Sequence, residues 1–213
     1  MVMRALCQED ARYCGSTNRH HSMTATTQEI TVGQALTQFY ADHDFGEEGG
    51  INDAFAYAKL GPINIPIPNT AARKEVIWLH DLHHLLNGYD TTWPGEGQVS
   101  AWELAAGGFG TKIYIWLLVL LAGSVGVLLF PASTFRAFVR GTYCQSIVSL
   151  GLPRDQLKLL PVNELKQRVG IVSGKTYVPA FGHYVRFGLL WLLYMGSIAG
   201  LVAVGTALIN AMV

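Results

Sequence analysis

Between His80 and Glu96 the chain reads HDLHHLLNGYDTTWPGE, three histidines and three acids in a polypeptide otherwise poor in charge. On an α-helix each residue advances about 100 degrees, so His80, Asp81 and His84 share one arc, with His83 just outside it beyond His80. Two imidazoles one turn apart can hold a single cation. Asp81 is then a third ligand, or the acceptor that fixes an imidazole tautomer. Glu96 follows a turn marked by Gly88 and by Pro94-Gly95, and it can complete the site from the start of the next helix. His80, Asp81, His84 and Glu96 are thus the expected metal ligands. His83 and Glu103, the latter seven residues after Glu96, are candidates for the supporting layer around them. Two nitrogens with one or two carboxylate oxygens suit zinc first, and equally admit iron(II), manganese(II) or cobalt(II). Apart from these ligands no residue reads as a general acid or base.

The elements that must position these residues are helical. Thr31 and Gln34 have the capping-box form, and Ala35, Leu36, Phe39 and Tyr40 then recur at helical spacing. DFGEEGGIND reads as a loop, and INIPIPN as an edge strand or extended arm. Asn69 or Thr70 caps the next helix, which carries the histidines and stops at the Asn87-Gly88 signal. Ile113 to Phe130 is an uncharged run of 18 residues closed by Pro131, and a polar helical region follows to about Val169. The expected fold class is mainly α, a helical metal- and lipid-binding domain with a hydrophobic C-terminal membrane helix. Its parts are a disordered leader over 1–22, the domain over 23–175 and an anchor over 187–213. A zinc site built from Cys7, Cys14, His20 and His21 in the leader matches no finger spacing.

Half of the 213 residues are apolar and 14% are charged, well below the usual quarter for soluble domains. Phe187 to Val213 runs 27 residues without a charge, more than the roughly 20 that cross a bilayer. Charge is unevenly spread: Met1 to Lys112 holds seven basic and thirteen acidic residues, Pro131 to Arg186 eight basic and two acidic. Were Ile113 to Phe130 to span, the acidic and basic halves would lie on opposite sides, against positive-inside logic. That run is therefore expected to pack within the domain or dip into one leaflet, with the domain on the cytoplasmic side. The basic segment suits anionic headgroups better than nucleic acid, since the whole chain is net neutral. Three cysteines without a CxxC pair fit a reducing compartment.

His80-Asp81-x-x-His84, then eleven residues, then Glu96, resembles the HDxxHx11E signature of the coenzyme Q biosynthesis protein 4 family. Weaker similarity extends from about Ile30 to Ile171, through GPINIPIPN, AFVRG and PVNELKQRVGI. The resemblance implies a largely helical protein that binds a divalent metal through the four signature residues and holds a polyprenyl lipid. It further implies oxidative removal of the ring C1 carboxylate of a prenylated benzoate precursor of ubiquinone. Other quinone-biosynthesis enzymes are then expected partners, and a homo-oligomer the expected state.

Three alternatives compete. A non-catalytic lipid-binding scaffold would use the metal to stabilise its fold. An HD-type phosphohydrolase would need further ligands such as His43 and Asp90. A membrane desaturase would use His80-x-x-His83-His84, but it needs about eight histidines in three boxes and this chain has seven.

Overall fold

A computed structural model describes residues 29–60 and 63–212, so the expectations for the leader lie outside the described residues. Helix α1 (Val32–Asp42) opens with a complete capping box: the Thr31 backbone N–H donates to Gln34 Oε1 at 3.0 Å, and the Gln34 N–H donates to Thr31 Oγ1 at 3.3 Å. It buries Val32, Leu36, Phe39 and Tyr40. A loop with one 3-10 turn (Glu47–Gly49) leads into a two-stranded antiparallel ribbon, β1 (Phe55–Leu60) with β2 (Ile63–Pro68). Asn69 N–H extends this ladder to the Ala54 carbonyl at 3.0 Å. Pro66 and Pro68, at the alternate positions, therefore face away from β1, where a missing N–H costs no bond.

Helix α2 (Ala71–Asn87) starts where the Thr70 hydroxyl accepts the Arg73 N–H at 3.2 Å, and ends at Gly88 in the left-handed region, φ 69°. Asn69 does something else: its amide donates to the carbonyls of Gly50, Ile51 and Asp53, tying the preceding loop to the start of α2. Helix α3 (Trp93–Ala106) lies at the centre, packed against α2, α4 (Ile113–Leu129) and α5 (Pro131–Gly141). Where α3 crosses α4 the backbones touch, and a β-carbon on Gly97 would stand 2.5 Å from the Gly126 Cα. The short helices α6 (Arg154–Leu159) and α7 (Val162–Arg168) return the chain to α1, where Val32 N–H meets the Leu160 carbonyl at 2.8 Å. Trp102, Leu82, Leu86, Leu165 and Val169 fill the core between them.

The apolar run after the site is α4. Ile115, Val119, Gly123 and Val127 point into the protein, whereas Ile113, Leu117, Leu121 and Leu128 are exposed. Seventeen residues make about 26 Å of helix, short of a hydrocarbon core of about 30 Å. The last described helix, α8 (Phe181–Met212), is one continuous rod that begins six residues before the uncharged run and passes through Arg186. It is long and apolar enough to cross a bilayer, and most of its surface is exposed. It touches the domain through Tyr194, fully buried against Gly123 of α4, and through Phe187, whose ring lies 5.1 and 5.4 Å from those of Phe135 and Phe138. The fold is mainly α, as the periodicity predicts.

Candidate metal centre

Helices α2 and α3 cross so that the last two turns of one face the first three of the other. His80 and His84, one turn apart on α2, present their Nε2 atoms 3.2 Å from each other. Glu96, in the first turn of α3, reaches both, with Oε2 at 3.2 Å from His80 Nε2 and Oε1 at 3.4 Å from His84 Nε2. The opposite ring nitrogens are already engaged. His80 Nδ1 donates to Glu103 Oε1 at 2.9 Å, and His84 Nδ1 donates to the Tyr89 carbonyl oxygen at 3.3 Å. In its neutral form an imidazole that spends its one N–H outward turns a lone pair inward. Without a metal the two carboxylates hold a proton on His80, which eases the crowding of two ring nitrogens and a carboxylate at this point; a bound cation would take that proton's place.

The dimensions match a metal ion. Ligand atoms about 2.1 Å from a tetrahedral ion stand about 3.4 Å apart; the two ring nitrogens here are 3.2 Å apart, and each lies 3.2 or 3.4 Å from a different oxygen of Glu96. His84 is buried, while the side chains of His80 and Glu96 keep 15% and 28% of their exposure on the cavity side. Three protein ligands with an open side fit a site that also takes water or another ligand.

Glu103 is the supporting residue. Fully buried on α3, its Oε1 accepts from His80 Nδ1 and also from His83 Nδ1 at 2.8 Å. His83 thus turns away from the centre into a pocket of Trp102 and Phe109 rings. Burial opposes the charge on each of these groups, but the pairing wins for three of them. Burial raises the carboxyls of Glu103 and Glu96 and their histidine partners outweigh it, taking Glu103 down to about 2 and Glu96 below the usual carboxylate range. Burial lowers His80, yet Glu103 and Glu96 together hold it well above its ordinary 6.5. For His83 burial prevails and its pKa falls.

Of the four ligands expected from the sequence, three converge and Asp81 does not join them. It lies 100 degrees round α2 from His80, toward α1. There its carboxylate sits beside Gly49 and near the Tyr40 hydroxyl, and burial first of all pushes its pKa up to about 6. Asp81 still borders the cavity onto which the centre opens. His43 and Asp90 also stay apart from the three ligands: His43 Nδ1 donates to the Phe39 carbonyl oxygen, and Asp90 accepts the Thr92 N–H ahead of α3.

That cavity measures about 730 Å³. Val76 and Ile77 of α2, Phe55, Tyr57 and Ile67 of the ribbon, and Ile115, Leu118, Val119 and Ala122 of α4 give it apolar walls. Arg73, the third residue of α2, is its cationic member. Arg73 escaped the sequence reading, although its 4-3-4 spacing with Ile77, His80 and His84 lays all four along one stripe of α2. No family model, curated protein or solved structure matches the chain.

Proposed function

We propose that this chain is a membrane-attached metal protein of quinone-lipid metabolism, related to the coenzyme Q biosynthesis protein 4 family. Its cavity receives a prenylated aromatic acid, and its metal-dependent activity is the oxidative removal of the ring C1 carboxylate: CO₂ leaves, a hydroxyl from water takes its place on C1, and dioxygen accepts the two electrons and becomes hydrogen peroxide. The carrying observation is one juxtaposition: a three-ligand centre opens onto an apolar cavity of about 730 Å³ whose α4 wall bears exposed leucines on its other side. A tail that passes from a bilayer into the cavity beside α4 moves between two apolar media, so an isoprenoid can enter without the roughly 0.8 kcal/mol per CH₂ that exposure to water would cost.

His80, His84 and Glu96 would hold the ion, with Asp81 available as a fourth ligand from the cavity wall and Glu103 fixing the His80 ring. Zinc suits the donor set, as do iron, manganese and cobalt. A divalent ion there would supply Lewis acidity toward an oxygen substituent of the ring, or a redox centre. The protein's own residues position the ring, exclude water with the α4 wall, and aim both Nε2 atoms at the ion, whose binding would release the proton that His80 holds without it. Membrane attachment runs through α8, with Lys175 and Arg186 near its start favouring a cytoplasmic domain. A lipid-binding scaffold for other quinone-biosynthesis enzymes is the second reading, favoured by the predominance of apolar residues in the cavity wall.

The test is metal analysis of the detergent-purified chain beside a His80→Ala, His84→Ala, Glu96→Ala triple variant, with mass spectrometry of an organic extract. About one equivalent of transition metal in the parent, none in the folded variant, and a co-purifying isoprenoid are expected. Turnover of a prenylated hydroxybenzoate by the loaded parent selects the enzyme over the scaffold. A parent that takes up no metal after reloading overturns the catalytic reading.

A further inference from the structure

We propose that Arg73 is the anion-binding residue of the cavity: its guanidinium receives the carboxylate of an amphiphilic ligand whose ring then lies against the His80, His84 and Glu96 centre. This deepens the proposed function and rests on its reading of the cavity as a lipid-acid site. Arg73 is 8% exposed, yet it lines the same cavity as the three ligands. A charged side chain so deeply buried ordinarily has a counter-ion. Among the side chains that the structure describes, no carboxylate oxygen is paired with this guanidinium within 4.0 Å. Its Nε is buried with no hydrogen-bond partner.

One bond orients it. Nη1 donates to Asn69 Oδ1 at 2.8 Å, and Asn69 cannot turn, because its amide donates to three carbonyls of the preceding loop. The guanidinium is therefore held as a fixed fork with donors to spare, the geometry that takes a carboxylate through two parallel bonds. Burial lowers its pKa, and Asp81 and Glu96 support its charge only from a distance. Arg73 also lies seven residues before His80 on one stripe of α2, about 10 Å along the axis. A carboxylate on Arg73 thus leaves one aromatic ring's length before the metal ligands. The binding step is ionic and involves no covalent change.

The experiment uses the full chain in non-ionic detergent, metal-loaded and metal-stripped, titrated with 4-butoxybenzoate and its uncharged isostere 4-butoxybenzamide. Binding is followed by calorimetry. The parent is expected to prefer the benzoate about tenfold, with the preference surviving metal removal. In Arg73→Gln the preference falls to within about twofold while metal content stays near one equivalent, and Arg73→Lys restores part of it. Equal affinities in the parent, or a preference unchanged in both variants, overturn the assignment of Arg73 and leave the cavity reading standing. Failure of both ligands to bind the parent overturns the cavity reading and Arg73 with it. Loss of metal from both variants makes Arg73 a determinant of the fold instead.

Discussion

The residue on which the centre turns is one that binds no metal in the proposed arrangement. Glu103 takes an N–H from both His80 and His83, so its carboxylate decides which His80 nitrogen faces the ligands. Glu103→Gln is expected to weaken metal binding roughly 10- to 100-fold with the ligands intact, measured by competition with a chromophoric chelator. Two carboxyls set opposite pH trends in the metal-free protein. Glu103 falls from 4.5 to about 2, so its stabilisation is full above 4.5 and is lost as pH drops toward 2. Asp81 rises from 3.8 to about 6, so its contribution is full below 3.8 and is lost as pH climbs through 6. Asp81→Asn is accordingly expected to raise the Tm of the metal-free protein by a few degrees at pH 7.5 and to leave it unchanged at pH 3, followed by thermal unfolding across pH. The sequence placed His83 and Glu103 beside the site without saying which imidazole each serves, because that depends on how α3 is rotated about its own axis against α2.

At the scale of elements, α2 and α3 are held at their crossing by neighbours that never touch the ligands. Gly97 follows Glu96 directly and meets the Gly126 backbone of α4. Gly97→Val must push the helices apart, and it is expected to cost about 1–3 kcal/mol and to carry Glu96 out of reach. A lowered Tm together with reduced metal content checks this, since a purely global loss of stability would spare metal binding at temperatures where the variant stays folded. Most element boundaries were legible. Thr31, Thr70 and Gly88 act as caps because capping is chemistry within one turn, which neighbours in sequence complete alone. Asn69 was legible only as a capping alternative to Thr70, since the carbonyls it binds lie 16 to 19 residues upstream.

At the scale of the whole molecule, a helical domain carries a rod of 32 residues that it buries at few points. Where α8 meets α4, Tyr194 covers Gly123 and Ser124 Oγ stands 3.5 Å from Ser197 Oγ, so the two apolar helices form a pair. Truncation after Ala180 is expected to move the protein from the carbonate-resistant to the carbonate-extractable membrane fraction, read by immunoblot. It also strips the cover from Gly123, and the truncated chain should need detergent to stay monodisperse in gel filtration.

By itself the sequence determined the helical periods, their caps, the apolar length of α8 and three candidate ligands whose spacing depends on one helix and one short turn. Those properties are local, set by backbone geometry over a few residues. Tertiary structure alone decided that Asp81 turns toward Tyr40, that Glu103 serves two histidines, that α4 is a cavity wall with an outward face, and that Arg73 shares the cavity of the metal ligands. Each of these depends on the rotation and separation of packed helices, which close packing of side chains from distant parts of the chain fixes and no single segment encodes.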